Sequence, residues 1–220
     1  MKKLLISAIF TIAVVGAIWF VYESQSDDGS SDSIVSAIEK VRGYAYVGYI
    51  IPEQPVEGGV VVFFLRNATG NKAGSAVSTE YVKKTPSGWK WGSGGSFSAS
   101  NLHMTLPEQQ ARNNPIPIGN ASMYVPSTAG SEFGDSPFPM LIGVVVHPDE
   151  ARVVVKDGVK GLERQAELIK VSDSFKLYYT FLDEVQGQKL YITTYNDNGD
   201  IVREDIIDET VTITTITNPK

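Results

Sequence analysis

The alternation of hydrophobic and polar positions divides this chain into three kinds of segment. From Leu4 to Tyr22 the sequence LLISAIFTIAVVGAIWFVY carries no charge. As a helix rising about 1.5 Å per residue it reaches roughly 28 Å, close to the ~30 Å hydrocarbon core of a bilayer. Lys2 and Lys3 precede the run, Asp27 and Asp28 follow it, and Trp19, Phe20 and Tyr22 gather at its far end. This polarity predicts a transmembrane anchor at 4–22, with residues 1–3 cytoplasmic and all that follows extracytoplasmic. A cleaved signal peptide, cut after Ser26, is the competing reading. Its apolar region is usually about 7–15 residues and ends in small side chains. The long run and bulky flank here favour an uncleaved anchor.

Residues 23–33 read as a polar tether. In the next stretch, SIVSAIEKVRG, Ile34, Val35, Ile38 and Val41 recur at helical spacing. Asp32 or Ser33 can cap the start of that helix and Gly43 its end. So short a helix does not stand alone, so its apolar stripe is expected to pack on a core.

From there the period shortens to two. GYAYVGYII reads as a strand broken by PEQPVEGG, and VVVFFLR as a strand buried on both faces. NATGNKAGS is loop, VSTEYVKK a strand, TPSG a tight turn, and WKW the returning strand. In a strand Trp89 and Trp91 share one face and Lys90 takes the other. The glycines and serines of GSGGSFS then read as a flexible loop. Residues 99–136 are rich in Pro, Asn, Gly and Ser, a long loop, linker or lid. Strand signals resume with FPMLIGVVV, ARVVVK, AELIKV, LYYTFLDE and KLYITTYND, and VTITTIT is a last β-rich segment. Asn198-Gly199 predicts a type I′ hairpin turn leading into DIVREDII.

The expected fold is therefore mainly β (α+β): an N-terminal transmembrane helix, a short amphipathic helix, then antiparallel sheets in one or two β-rich parts. These parts span 34–98 and 137–217, joined by 99–136.

Composition narrows the chemistry. The chain has no cysteine, which excludes disulfides, thiolate metal sites, cysteine nucleophiles and lipoprotein anchoring. Without Lys2 and Lys3, 17 basic residues face 25 acidic ones outside the membrane, and no basic stripe in the sequence suits nucleic acid or anionic lipid headgroups. In TYNDNGDIVRED, Gly199 falls at position six of a calcium loop. Thr194 and Asp205 then stand where Asp and Glu are required, so the hairpin is preferred. His103 and His147 are the only histidines and have no close-spaced metal partner. GSEFG at 130–134 misplaces the serine of a nucleophile elbow. Adjacent carboxylates, as in Asp183-Glu184 and Glu204-Asp205, face opposite sides of a strand and read as solvated edges. GSGGS lacks the Lys-Ser/Thr ending of a phosphate loop. No catalytic residue, metal or cofactor is expected.

The stretches VKKT…GWKW, FPMLIGVVVHPDEARVVVK and NDNGDIV, within residues 34–205, give the chain a resemblance. It resembles small membrane-anchored extracytoplasmic proteins of spore-forming Gram-positive bacteria. The resemblance implies location and fold and carries over no catalytic residue.

Three functional expectations follow. The first is a non-enzymatic envelope module, held in the membrane through 4–22, that binds an envelope protein or a wall component. The second is binding of cell-wall glycan through Trp89 and Trp91, which requires exposed rings. The third is a hydrolase with an unrecognised site.

Overall fold

The computed structural model describes residues 29–67, 75–99, 121–131, 133–173, 175–183 and 189–208. The expected anchor, His103, most of the long 99–136 segment and VTITTIT lie outside the described residues. Among those described, no helix is long and apolar enough to cross a membrane.

The fold is mainly β, with one short helix and three antiparallel sheets among the described residues. Helix α1 (Ile34–Arg42) begins where the Ser33 side chain accepts the Ser36 N–H, and Gly43 closes it at φ 106°. The first sheet holds β1 (Tyr49–Ile50), β2 (Gln54–Val56), β3 (Gly59–Asn67), β4 (Ser75–Thr85) and β5 (Gly88–Ala99). Both β1 and β2 pair with the same edge of β3, and the register slips by one residue between them, where Pro52 has no N–H to donate. The expected strand 43–51 thus shrinks to Tyr49–Ile50, and part of the expected break is itself strand.

The second sheet runs β10 (Glu167–Lys170), β11 (Lys176–Phe181), β7 (Met140–Val145), β6 (Ser122–Val125). The third runs β13 (Ile201–Asp208), β12 (Lys189–Tyr195), β8 (Arg152–Asp157), β9 (Glu163–Gln165). Strand β6 takes four residues out of the expected long loop.

Side-chain alternation stacks these elements as four layers. On one face of the first sheet Val60, Val62, Phe64 and Val82 meet Ala37 and Ile38 of α1. On its other face Val61, Phe63, Val77 and Tyr81 meet Met140, Ile142, Leu177 and Tyr179 of the second sheet. The second sheet turns Leu141, Val145 and Tyr178 toward Val153, Val155, Leu190 and Ile192 of the third. All six residues of β7 are therefore buried, which is why that strand is apolar at nearly every position. At Gly143 a Cβ would lie 2.5 Å from the Tyr178 ring. The glycine is the space into which the tyrosine packs.

The hairpin between β12 and β13 forms as the Asn-Gly signal predicts, with a different turn. Gly199 N–H donates to the Asn196 carbonyl at 3.1 Å, and Gly199 alone in the loop has positive φ, +87°. The Asn196 side chain caps the N–H groups of Asn198 and Asp200. This is a three-residue loop with a left-handed glycine rather than a type I′ turn.

Candidate functional site

The site grows from an irregularity in β5. Tyr81 pairs with Ser93 and Val82 with Trp91, so Gly92 is an extra residue, a β-bulge. A Cβ at Gly92 would stand 2.9 Å from the Tyr81 ring. Because strand side chains alternate, one extra residue exchanges the faces. Before the bulge, Trp89 and Trp91 pack under α1. After it, Phe97 joins the core between the first and second sheets, while Gly94 and Ser96 face the helix side. GSGGSFS is thus strand, not flexible loop, and its glycines serve close packing.

Gly94 makes room for Glu80, the one charged side chain of the first sheet with no exposure. A Cβ there would meet Glu80 Oε2 at 2.0 Å. Arg42, the last residue of α1, donates Nε to Oε1 at 3.1 Å and Nη2 to Oε2 at 3.2 Å. Its Nη2 also reaches the Gly94 carbonyl at 3.1 Å. The Trp91 indole N–H donates to Oε2 at 2.6 Å. Burial pushes the Glu80 carboxyl above its ordinary value, against the opposing pull of Trp91, Arg42 and Arg66.

The cations are themselves stacked. The Arg42 guanidinium lies 5.0 Å from the Trp91 centroid and 5.8 Å from that of Tyr46. Arg66 lies 4.9 Å from Tyr46 and donates to the Ser78 and Ser96 hydroxyls. Phe133 meets Trp91 edge-on, and Lys84 Nζ sits 4.3 Å from the Trp89 centroid. The two tryptophans share a face as expected. Their rings are half-buried and their neighbours are the protein's own side chains.

Beside this locked cluster the chain presents a different surface. Between Arg42 and β1, Tyr46 packs edge-on against Phe64 at 5.8 Å, and Val47 joins the helix-side core. Gly48 presses so close to the Leu65 carbonyl that a Cβ would stand 2.1 Å away. Ala45 has φ +56°, the single non-glycine residue with positive φ among the described residues. Yet Tyr44 is 96% and Tyr49 65% exposed, with Val41 and Ile50 exposed at either end. A pinned, locally strained backbone holds two tyrosine rings out in solvent. By composition Tyr44, Tyr46 and Tyr49 all read as strand residues. The flanking glycines at 43 and 48 were the available signal for a loop.

His147 lies elsewhere, in a cleft of about 220 Å³ at one end of the second sheet, with Ser172, Asp173 and Lys176. Its Nδ1 accepts the Asp149 N–H at 3.3 Å. The same Nδ1 lies 3.7 Å from the Asp149 carboxylate on this exposed turn. Lys176 Nζ donates to the Glu150 carbonyl at 2.7 Å. Among the described residues no group of acidic residues and histidines is placed to hold a metal ion. Asp197, Asp200 and their neighbours at the Gly199 turn are no exception.

No protein-family model, curated protein or solved structure matches this chain.

Proposed function

We propose that the protein is a membrane-anchored, extracytoplasmic binding module of the cell envelope, non-enzymatic, whose contact surface is the segment Val41–Ile50. The observation that carries this reading is the exposure of Tyr44 and Tyr49 on a backbone held by Tyr46, Val47 and Gly48. Tyrosine buries a large amphipathic area at little conformational cost, and fixing the backbone beforehand lowers the entropy lost on binding. The positive φ at Ala45 supports the same reading. Backbone strain of this kind costs about 1–3 kcal/mol and tends to collect at working surfaces.

The glycan alternative through Trp89 and Trp91 requires free ring faces, and the surroundings of both rings speak against it. The hydrolase alternative would centre on His147, whose Nδ1 is used as an acceptor. A photo-crosslinking residue placed at Tyr44 or Tyr49 in cells tests the proposal. Adducts of one defined mass are expected at these positions and not at Lys156, which is exposed on the third sheet. Equal labelling at all three positions would sink the contact surface.

A further inference from the structure

The described chain begins at the tip of one hairpin. Ser31 and Trp89 exchange both backbone hydrogen bonds, at 2.7 and 2.8 Å, and the Ser30 and Thr85 hydroxyls are 2.8 Å apart. Residues 29–31 are therefore fastened to the turn between β4 and β5. Only seven residue steps separate Gly29 from Tyr22, the end of the long apolar run. Fully extended they span about 25 Å. The same hairpin carries exposed Lys84 and Lys90 and half-buried Lys83 and Trp89, in a protein whose net charge is −6. Lysines beside an indole are the composition that favours a lipid headgroup layer.

We propose that the β4–β5 hairpin end of the first sheet faces the bilayer, with Lys84, Lys90 and Trp89 against the lipid headgroups, so that Val41–Ile50 is held at the far end. This inference rests on the membrane-anchored reading above. The chain path supports it. From Ser31 beside Trp89, α1 runs along the sheet to Arg42, which bonds the Gly94 carbonyl. The next segment joins the sheet at Tyr49 opposite Leu65, and Leu65 pairs with Val77. From Thr85 back to Val77 is eight steps of β4, about 26 Å at the usual strand rise. The hairpin and exposed Tyr49 thus occupy opposite ends of one sheet. Asp27 and Asp28 come just before the fastened residues in the sequence and exposed Asp32 just after them, which lowers the net positive charge of this part of the chain. The pull of anionic lipid is accordingly modest, and position relative to the membrane is the more direct readout.

The absence of native cysteine makes a clean test available. The full chain carrying Ser87→Cys, or Asp197→Cys in the β12–β13 turn, is labelled with a small fluorophore and reconstituted into phosphatidylcholine vesicles. Phe138 packs on Tyr81, so β7 runs away from the hairpin toward Val145, and Tyr195 pairs with Arg152 where β8 starts beyond that end. Asp197 is exposed there. Headgroup-spin-labelled phosphatidylcholine is then added as quencher. The Ser87 label is expected to be quenched several-fold more than the Asp197 label. Replacing part of the lipid with phosphatidylglycerol should increase that quenching, and Lys84→Gln with Lys90→Gln should abolish the increase. Protein that fails to float with the vesicles would overturn the anchor reading, and this inference with it. Floating protein whose two labels are quenched alike would overturn the orientation alone. Quenching at Ser87 that ignores both lysines and lipid charge would remove the headgroup contact.

Discussion

The outer faces of the first and third sheets begin from the same alternation and end differently. On the first, α1 covers the strands, and the face holds Val60, Val62, Phe64 and a charge, Glu80, without exposure. On the third nothing among the described residues covers Lys156, Tyr191, Glu204 and Ile206, which stand in solvent beside half-buried Arg152 and Tyr195. Arg152 stacks on Tyr195 at 3.9 Å, much as Arg42 stacks on Trp91 at 5.0 Å. Similar contacts therefore have unequal consequences. Under a helix a carboxylate has no water to turn to, and each missing partner exposes its full desolvation penalty. In the open, water replaces whatever is removed.

The largest expected effect comes from stripping Glu80 of its cation. Arg42→Ala should destabilise the fold by about 3 kcal/mol, because it leaves a buried carboxylate with only an indole partner. Arg152→Ala should cost well under that in the same denaturant titration. Equal losses would erase the contrast between the two faces. Trp91→Ala and Trp89→Ala each remove a large half-buried aromatic from the covered face and should cost about 3 kcal/mol, near the lower end for such truncations.

Next in size is Gly94→Ala, which drives a methyl group into the Glu80 carboxylate and the Thr79 carbonyl. A loss of about 2 kcal/mol is expected from overpacking. Gly199→Ala, in open space but at φ +87°, should lose about 1 kcal/mol through backbone strain alone. Reversal of that order in thermal unfolding would mean that the covered face yields more readily than its packing implies.

A subtler comparison uses pH. Since the folded-state value of Glu80 lies above its ordinary value of 4.5, the native protein binds that proton more tightly than the unfolded chain does. Its contribution to stability is then fullest below about pH 4.5 and is lost as pH rises through the raised folded value. Subtracting the pH profile of Glu80→Gln from that of wild type should isolate this decline. A flat difference would remove the burial effect. The smallest change is reserved for the bare face, where Lys156→Ala should stay within about 0.5 kcal/mol of wild type.

Much of the architecture was legible because burial leaves its period in the sequence. VVVFFLR and MLIGVV are apolar at successive positions because both of their faces are covered, and the capped helix follows from Ser33, its apolar stripe and Gly43. The misread segments share one cause. GSGGSFS looks like loop by composition, yet Gly92 and Gly94 answer to Tyr81 and Glu80 in the neighbouring strand. GYAYVGYII looks like strand because alanine does not mark the left-handed turn at Ala45, and only the flanking Gly43 and Gly48 hint at it. Glu80 sits within VSTEYVKK as an ordinary polar position of an alternating strand. Nothing nearby announces Arg42, 38 residues away, as its partner. Period reports which face a residue takes, but not what comes to lie upon it.

The strand order also sets a sequence of events. Every strand of the first sheet comes from residues 49–99, and its helix just precedes it. The second sheet is interleaved with the third, since β7 pairs with β11 across the intervening β8 and β9. A chain emerging from its N-terminus can therefore complete the first sheet and its helix early. Val61, Phe63, Val77 and Tyr81 then wait uncovered until β11 has been delivered. During that interval the half-built protein carries a broad apolar face, and folding of the remainder is a race between its own second sheet and any other sticky surface nearby.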